Sequence, residues 1–176
     1  MFMKGFVKVA SAIPKVKVAD CRHNVIEINR LIREAAASDA QIVVFPELCI
    51  TGYTCGDLFF QGALQEDALL GMLDIAEHTA HLDIISIVGL PIVIGQQLLN
   101  VAAVIQQGHI LGLIPKSYLP NYKEFYEQRW FVSAFDNKMS EYDIRGEHIP
   151  VGNDLLFSTP EVVFGIEICE IGRAHV

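Results

Sequence analysis

Three polar residues of different chemistry each stand directly after an apolar run: Glu47 after IVVFP, Lys116 after HILGLIP and Cys169 after VVFGIEI. A carboxylate can shuttle protons, an ammonium can stabilise negative charge, and a thiol can act as a nucleophile. Groups at the carboxyl ends of strands are where α/β sheets commonly hold ligands and reacting atoms. Taken singly, each has a plainer explanation. A Glu or Lys just past a strand is usually a solvated loop charge, and a Cys closing an apolar strand is usually a small buried hydrophobe.

The elements that would position these groups follow from periodicity. Residues 5–13, GFVKVASAI, are β-branched and apolar and end at Pro14, a strand pattern. Asp20 is placed to cap a helix in which Val25, Ile28, Leu31, Ile32 and Ala35 recur at helical spacing. QIVVFPE then predicts a short buried strand stopped by Pro46. A second helix is predicted over residues 63–81 and a strand within 84–94. Residues 98–106 and 109–114 form a hairpin pattern turning at Gln107-Gly108. Residues 118–145 are aromatic and charged without a sustained period, the mark of a long functional loop or short helix over a site. A last strand is predicted over 161–168. Strand–helix–strand order followed by consecutive strands predicts an α/β protein with a mixed sheet. Strands apolar on both sides predict a sheet covered on both faces.

Composition narrows the class. The chain has 176 residues, 52% of them hydrophobic, so one domain or part of one with a sizeable core is expected. No apolar run reaches the length of a membrane helix, and MFMKGFVKVA resembles a first strand rather than a secretory signal. A formal net charge of −8 argues against nucleic acid or an anionic membrane surface as partner. Cys21, Cys49, Cys55 and Cys169 are irregularly spaced, which predicts free thiols in a reducing cytoplasm. No His–Cys pairing at ligand spacing supports a metal site.

The contexts of the three polar residues carry more than the residues do. FPELCITGY, PKSYLPNYKEFYEQRWF and GIEICE resemble, in that order and at these separations, the motifs of the nitrilase superfamily. Within it, GFVKVASAIPKVKVADCRHN and TGYTCGDLFFQ are similar to the glutaminase domains of bacterial glutamine-dependent NAD synthetases. The resemblance covers residues 1–170. It implies a four-layer αββα sandwich, incomplete in this chain, and a site built on Glu47, Lys116 and Cys169. Cys169 would attack the side-chain amide of glutamine and form a thioester. Glu47 would take the thiol proton, hand it to the departing ammonia and then activate water. Lys116 would favour the thiolate, since a neighbouring ammonium lowers a thiol pKa that a carboxylate raises. With the backbone N–H of Glu170 it would also stabilise the oxyanion. The resemblance further implies that Glu124 orients the lysine, that Tyr53, Tyr122, Phe125 and Tyr126 wall the pocket, and that Glu127 and Glu170 bind the α-amino group. Each of these has a plain alternative as a surface charge or as aromatic packing. Cys49, two residues beyond Glu47, is a rival nucleophile without a presenting strand; Cys21 and Cys55 read as structural.

No cofactor is expected in this domain. ATP, magnesium and deamido-NAD belong, by resemblance, to a C-terminal synthetase domain that this chain lacks, which would be its partner in a cytoplasmic homo-oligomer. After GIEICE the family continues with Asp-Leu-Trp, whereas residues 171–176 read IGRAHV. Their back-translation, ATC GGA AGA GCA CAC GTC, matches a sequencing-library adapter, so this stretch is expected to be a non-native tail. Two competing readings remain open at this level: a stand-alone nitrilase-family amidase such as an ω-amidase or carbamoylase, and an inert incomplete domain.

Overall fold

The computed structural model describes residues 6–169. Glu170, the stretch 171–176 and the start of the first predicted strand lie outside the described residues.

Five strands form the main sheet in chain order: β1 (Val9–Ser11), β2 (Ile42–Val44), β3 (Ile85–Ile94), β4 (Gln97–Gln106) and β5 (His109–Pro115). The first three run parallel, and β3, β4 and β5 are antiparallel neighbours. The crossovers between the parallel strands are helical. Helix α1 (Cys21–Ala37) begins at Asp20, whose carboxylate accepts the N–H of His23 at 3.0 Å and satisfies one of the orphan donors of the first turn. Helix α2 (Gly62–Thr79) packs along α1 and over β3 and β4.

Alternation along the strands divides their side chains between two cores. Val43, Val88, Leu90, Val101, Ala103, Ile105 and Leu113 join Ile28, Ile32, Met72 and Ile75 of the helices in the larger one. Burial of each such Ile or Leu contributes about 1.5–3 kcal/mol. Ile42, Ile85, Ile87, Ala102, Val104 and Ile114 point the other way, where Phe157, Phe164, Ile166 and Ile168 lie on them. The sheet is therefore covered on both sides, as the run of apolar strands implies.

Pro91 sits inside β3, where a missing N–H would ordinarily break a ladder. It is tolerated because β2 pairs with β3 only as far as Ile87, so the edge beyond faces no strand of β2. The β4–β5 hairpin turns at Gln107-Gly108, with φ of 48° and 85°, the double left-handed turn that a two-residue hairpin favours.

Two expectations change. The predicted strand over 161–168 shrinks to β9 (Val163–Phe164), paired with β8 (Phe157–Ser158). An extended segment becomes a strand only where a neighbour takes its backbone hydrogen bonds, and β8 offers two residues. The stretch 118–145 is also less irregular than predicted. It contains a helical turn, α3 (Glu127–Trp130), and a 3₁₀ turn (Ala134–Asp136), and ends in β6 (Glu141–Ile144), which pairs with β7 (Glu147–Pro150) through a left-handed Arg145-Gly146 turn. Among the described residues no helix is long and apolar enough to cross a membrane.

Candidate active site

Glu47 is delivered by a sharp exit from β2. The N–H of Phe45 donates to Ile87 O at 3.0 Å and that of Ile50 to Gly89 O at 3.1 Å, which pins residues 45–50 along β3. The turn needs a left-handed Leu48 (φ 52°) and a glycine beneath it. A Cβ on Gly89 would come within 2.4 Å of Leu48 N and 3.1 Å of Glu47 Cα.

Lys116 leaves β5 after Pro115, its N–H donating to Asn100 O at 2.8 Å and its carbonyl accepting from Ala134 N–H at 2.9 Å. Its side chain then runs inward and is fully sealed from solvent. An unpaired buried ammonium would be prohibitive. Here Nζ lies 2.8 Å from Glu47 Oε1, 2.8 Å from Glu127 Oε1 and 2.7 Å from Glu127 Oε2. The contact to Glu127 Oε1 has hydrogen-bond geometry, whereas Oε2 is left as a buried acceptor with ion-pair contact alone. Tyr53 adds its hydroxyl to Glu127 Oε1 at 2.6 Å. Asn100, on β4, adds its Nδ2 to Glu47 Oε1 at 2.5 Å.

The charges answer to one cation shared by two anions. Burial works against the Lys116 ammonium, but Glu47 and Glu127 outweigh it and hold its pKa above the ordinary lysine value. At Glu127 burial wins over Lys116 and Tyr53 and raises the carboxyl, with the Glu47 charge acting in the same sense. Both pKa values therefore lie above their ordinary ones, which favours the charged form of the lysine and the neutral form of Glu127. Burial, followed by the hydrogen bond to Glu127, also raises the Tyr53 hydroxyl; the thiol of Cys169 is near enough to Tyr53 to contribute to that shift. Cys169 is half-buried and adopts a left-handed backbone (φ 65°), uncommon for a residue with a side chain and found where a site demands it.

The second carboxylate on Lys116 is thus Glu127, not Glu124. Glu124 is exposed, while Glu127 is buried in the first turn of α3. The same placement sets Glu127 against Lys116 and Tyr53 rather than on an open pocket wall. Of the aromatic residues expected around the pocket, Tyr53 reaches the cluster. Tyr122 and Tyr126 are exposed, and Phe125 packs on Tyr122 with ring centroids 6.0 Å apart. Cys49 is fully enclosed, receives the Gly89 N–H on its sulfur at 3.3 Å, and burial pushes its thiol up to about 12. It is a structural thiol and no rival nucleophile. Asn100 was outside the sequence-based expectations; its one signal is an amide in the otherwise apolar strand LLNVAAVI.

The α3 turn is held from outside. Asp57, in the 3₁₀ stretch Tyr53–Phe60, accepts Arg129 Nε and Nη2 at 2.7 Å each and Trp130 Nε1 at 2.9 Å. Phe59 packs on Trp130 and Phe131 behind it.

A carboxylate from the carboxyl end of β2 and an ammonium from the carboxyl end of β5 converge on one side of a helix-covered mixed sheet, a pairing of base and fixed positive charge suited to hydrolysis of carbon–nitrogen bonds. The chain belongs to the carbon-nitrogen hydrolase family, whose model matches residues 8–173. Among curated relatives, the glutamine-dependent NAD(+) synthetase of Mycobacterium tuberculosis is 34% identical over 172 residues, 96% of this chain. This chain spans 25% of that relative's length. A solved glutamine-dependent NAD(+) synthetase from Cytophaga hutchinsonii superposes with a TM-score of 0.86 at 31% identity, covering 93% of this chain and 28% of that one. An amidase of the nitrilase superfamily from Nesterenkonia gives a TM-score of 0.74 at 16% identity over 96% of this chain and 57% of its own, which establishes the common fold.

Proposed function

We propose that this chain is the glutamine-hydrolysing domain of a glutamine-dependent NAD synthetase, with Cys169 as nucleophile, Glu47 as general base and acid, and Lys116 as the fixed positive charge. The observation that carries the reading is Lys116 Nζ, sealed from solvent and held 2.8 Å from Glu47 Oε1. A buried, permanently charged ammonium beside a base provides what attack on an amide needs: a preorganised positive charge where negative charge develops. Glu127 holds that ammonium in place and Tyr53 holds Glu127.

In the first half of the reaction the Cys169 proton passes to Glu47 and sulfur bonds to the amide carbon. Lys116 stabilises the oxygen that becomes negative. Glu47 then protonates the departing nitrogen, leaving a thioester. In the second half Glu47 takes a proton from water, which attacks the thioester and releases the acid and the thiol. Glutamine as substrate, and ammonia as the product passed to a C-terminal synthetase domain, are supported by the relatives, whose remaining length would carry that domain and its ATP, magnesium and deamido-NAD. A homo-oligomeric cytoplasmic enzyme fits the same reading.

Mass spectrometry of the full-length protein after treatment with a glutamine-mimicking diazoketone tests it. The expected result is one adduct on Cys169, abolished by Glu47→Ala or Lys116→Ala. An adduct on Cys49, or none on a folded protein, would refute the assignment.

A further inference from the structure

Asn100 is a polar residue in the middle of an apolar strand and is 1% exposed. Its Nδ2 donates to Glu47 Oε1 at 2.5 Å, while its Oδ1 is buried with no hydrogen-bond partner among the described residues. Its backbone oxygen receives the N–H of Lys116 at 2.8 Å. A buried amide is costly unless its polar atoms are used, and the atom used here is the donor aimed at Glu47.

The same Oε1 already receives Lys116 Nζ at 2.8 Å. Two donors occupy both lone pairs of one carboxylate oxygen, so the proton that Glu47 takes during the reaction has to go to the other. We infer that Asn100 is a positioning residue for amide cleavage: together with Lys116 it fills Oε1 of Glu47 and makes Oε2 the oxygen that exchanges protons with the nucleophile. The inference rests on the amidase reading of the site and adds the atom at which its proton moves.

The step balances on these atoms. The S–H bond of Cys169 breaks and its proton forms an O–H bond at Glu47 Oε2. The sulfur electron pair forms the C–S bond while the carbonyl π pair moves to oxygen. When the tetrahedral species collapses, the oxygen pair returns and the C–N bond breaks. The proton on Oε2 then goes to the leaving nitrogen. Because Oε1 stays anchored through both transfers, the carboxylate does not rotate between them.

A donor to a carboxylate favours its charged form, and a second carboxylate disfavours it. The acid limb of the kcat/KM profile, which reports the essential base of the free enzyme, therefore reads the Asn100 contact directly. The test is that profile for glutamine hydrolysis by the full-length protein and its Asn100→Asp and Asn100→Ser variants. The acid limb is expected to rise by about one pH unit or more in Asn100→Asp and by less in Asn100→Ser. At pH values below the parent's acid limb, kcat/KM is expected to fall about tenfold in Asn100→Asp. A residue that merely filled space would lower kcat/KM without moving the limb. An unmoved limb in both variants overturns the inference, and Asn100→Ser decides alone if Asn100→Asp fails to fold. A parent protein that neither hydrolyses glutamine nor reacts at Cys169 brings down the amidase reading itself, and this inference with it.

Discussion

Gly89 and Leu48 approach each other so closely that a Cβ on residue 89 would stand 2.4 Å from the Leu48 amide nitrogen. The turn carrying Glu47 therefore lies directly on the bare backbone of β3. Gly89→Ala is expected to lift that turn, destabilising the protein by about 2–3 kcal/mol and lowering kcat/KM about a hundredfold, since small displacements of reacting groups are expensive. Gly62→Ala is the control: nothing lies within 4 Å of a Cβ there, and alanine in the first turn of α2 is expected to be neutral or slightly stabilising. Chemical denaturation and glutamine turnover of both variants check the pair, and equal effects would refute the steric account.

Lys116→Met removes the cation between two carboxylates and leaves Glu127 buried without its charge partner. The expected loss is about 3–5 kcal/mol, part of it recovered by adding Glu127→Gln. The pH dependence follows from the raised pKa of Lys116. Its contribution is complete below the ordinary lysine value of 10.5 and is lost as pH climbs through the raised one. Denaturation midpoints of the parent should fall as pH rises above about 10.5, and fall less steeply there for Lys116→Met. Parallel curves would mean that Lys116 carries no such linkage.

Glu47, Lys116 and Cys169 are visible in the sequence because each terminates an apolar run inside a recognisable context. The choice between Glu124 and Glu127 is different. The two are three residues apart in a stretch with no periodicity, and which of them turns inward is decided by a single helical turn. That turn is fixed by contacts from Asp57 and Phe59, about seventy residues away in the chain. Asn100 is hidden for a related reason: an isolated amide in a strand shows its purpose only when the fold brings the turn after β2, and its carboxylate, to it. The β6–β7 hairpin escapes because EYDI and EHIP are too polar to alternate, leaving Arg145-Gly146 as its one signal. The predicted strand at 161–168 fails where propensity alone cannot supply pairing partners.

Asp57 links the stretch bearing Tyr53 to the turn bearing Glu127. Both ends of the Asp57–Arg129 pair are exposed, so its expected importance is geometric rather than energetic. Asp57→Ala should leave global stability nearly unchanged and lower kcat/KM about tenfold, mainly through kcat, as Glu127 loses its fixed seat. Asp57→Glu, which keeps the charge, should restore part of the loss. Full activity in Asp57→Ala would show that Tyr53 and the Phe59 packing suffice.

The four cysteines are unpaired, and their surroundings separate them sharply. Burial pushes the thiols of Cys21 and Cys49 up to about 12 and raises that of Cys55 as well. At pH 8 a thiol of pKa 12 is ionised in about one molecule in ten thousand, and alkylation requires the thiolate. Cys169 is half-buried rather than enclosed. Brief iodoacetamide treatment of the folded protein at pH 8, followed by peptide mapping, is expected to modify Cys169 alone. The other three should react only after denaturation. Lys116→Met should leave the other three unreactive as long as the fold holds. Early modification of Cys49 in the folded protein would mean that the Glu47 turn opens under native conditions, and the case for Cys169 as the nucleophile would have to be rebuilt from turnover data.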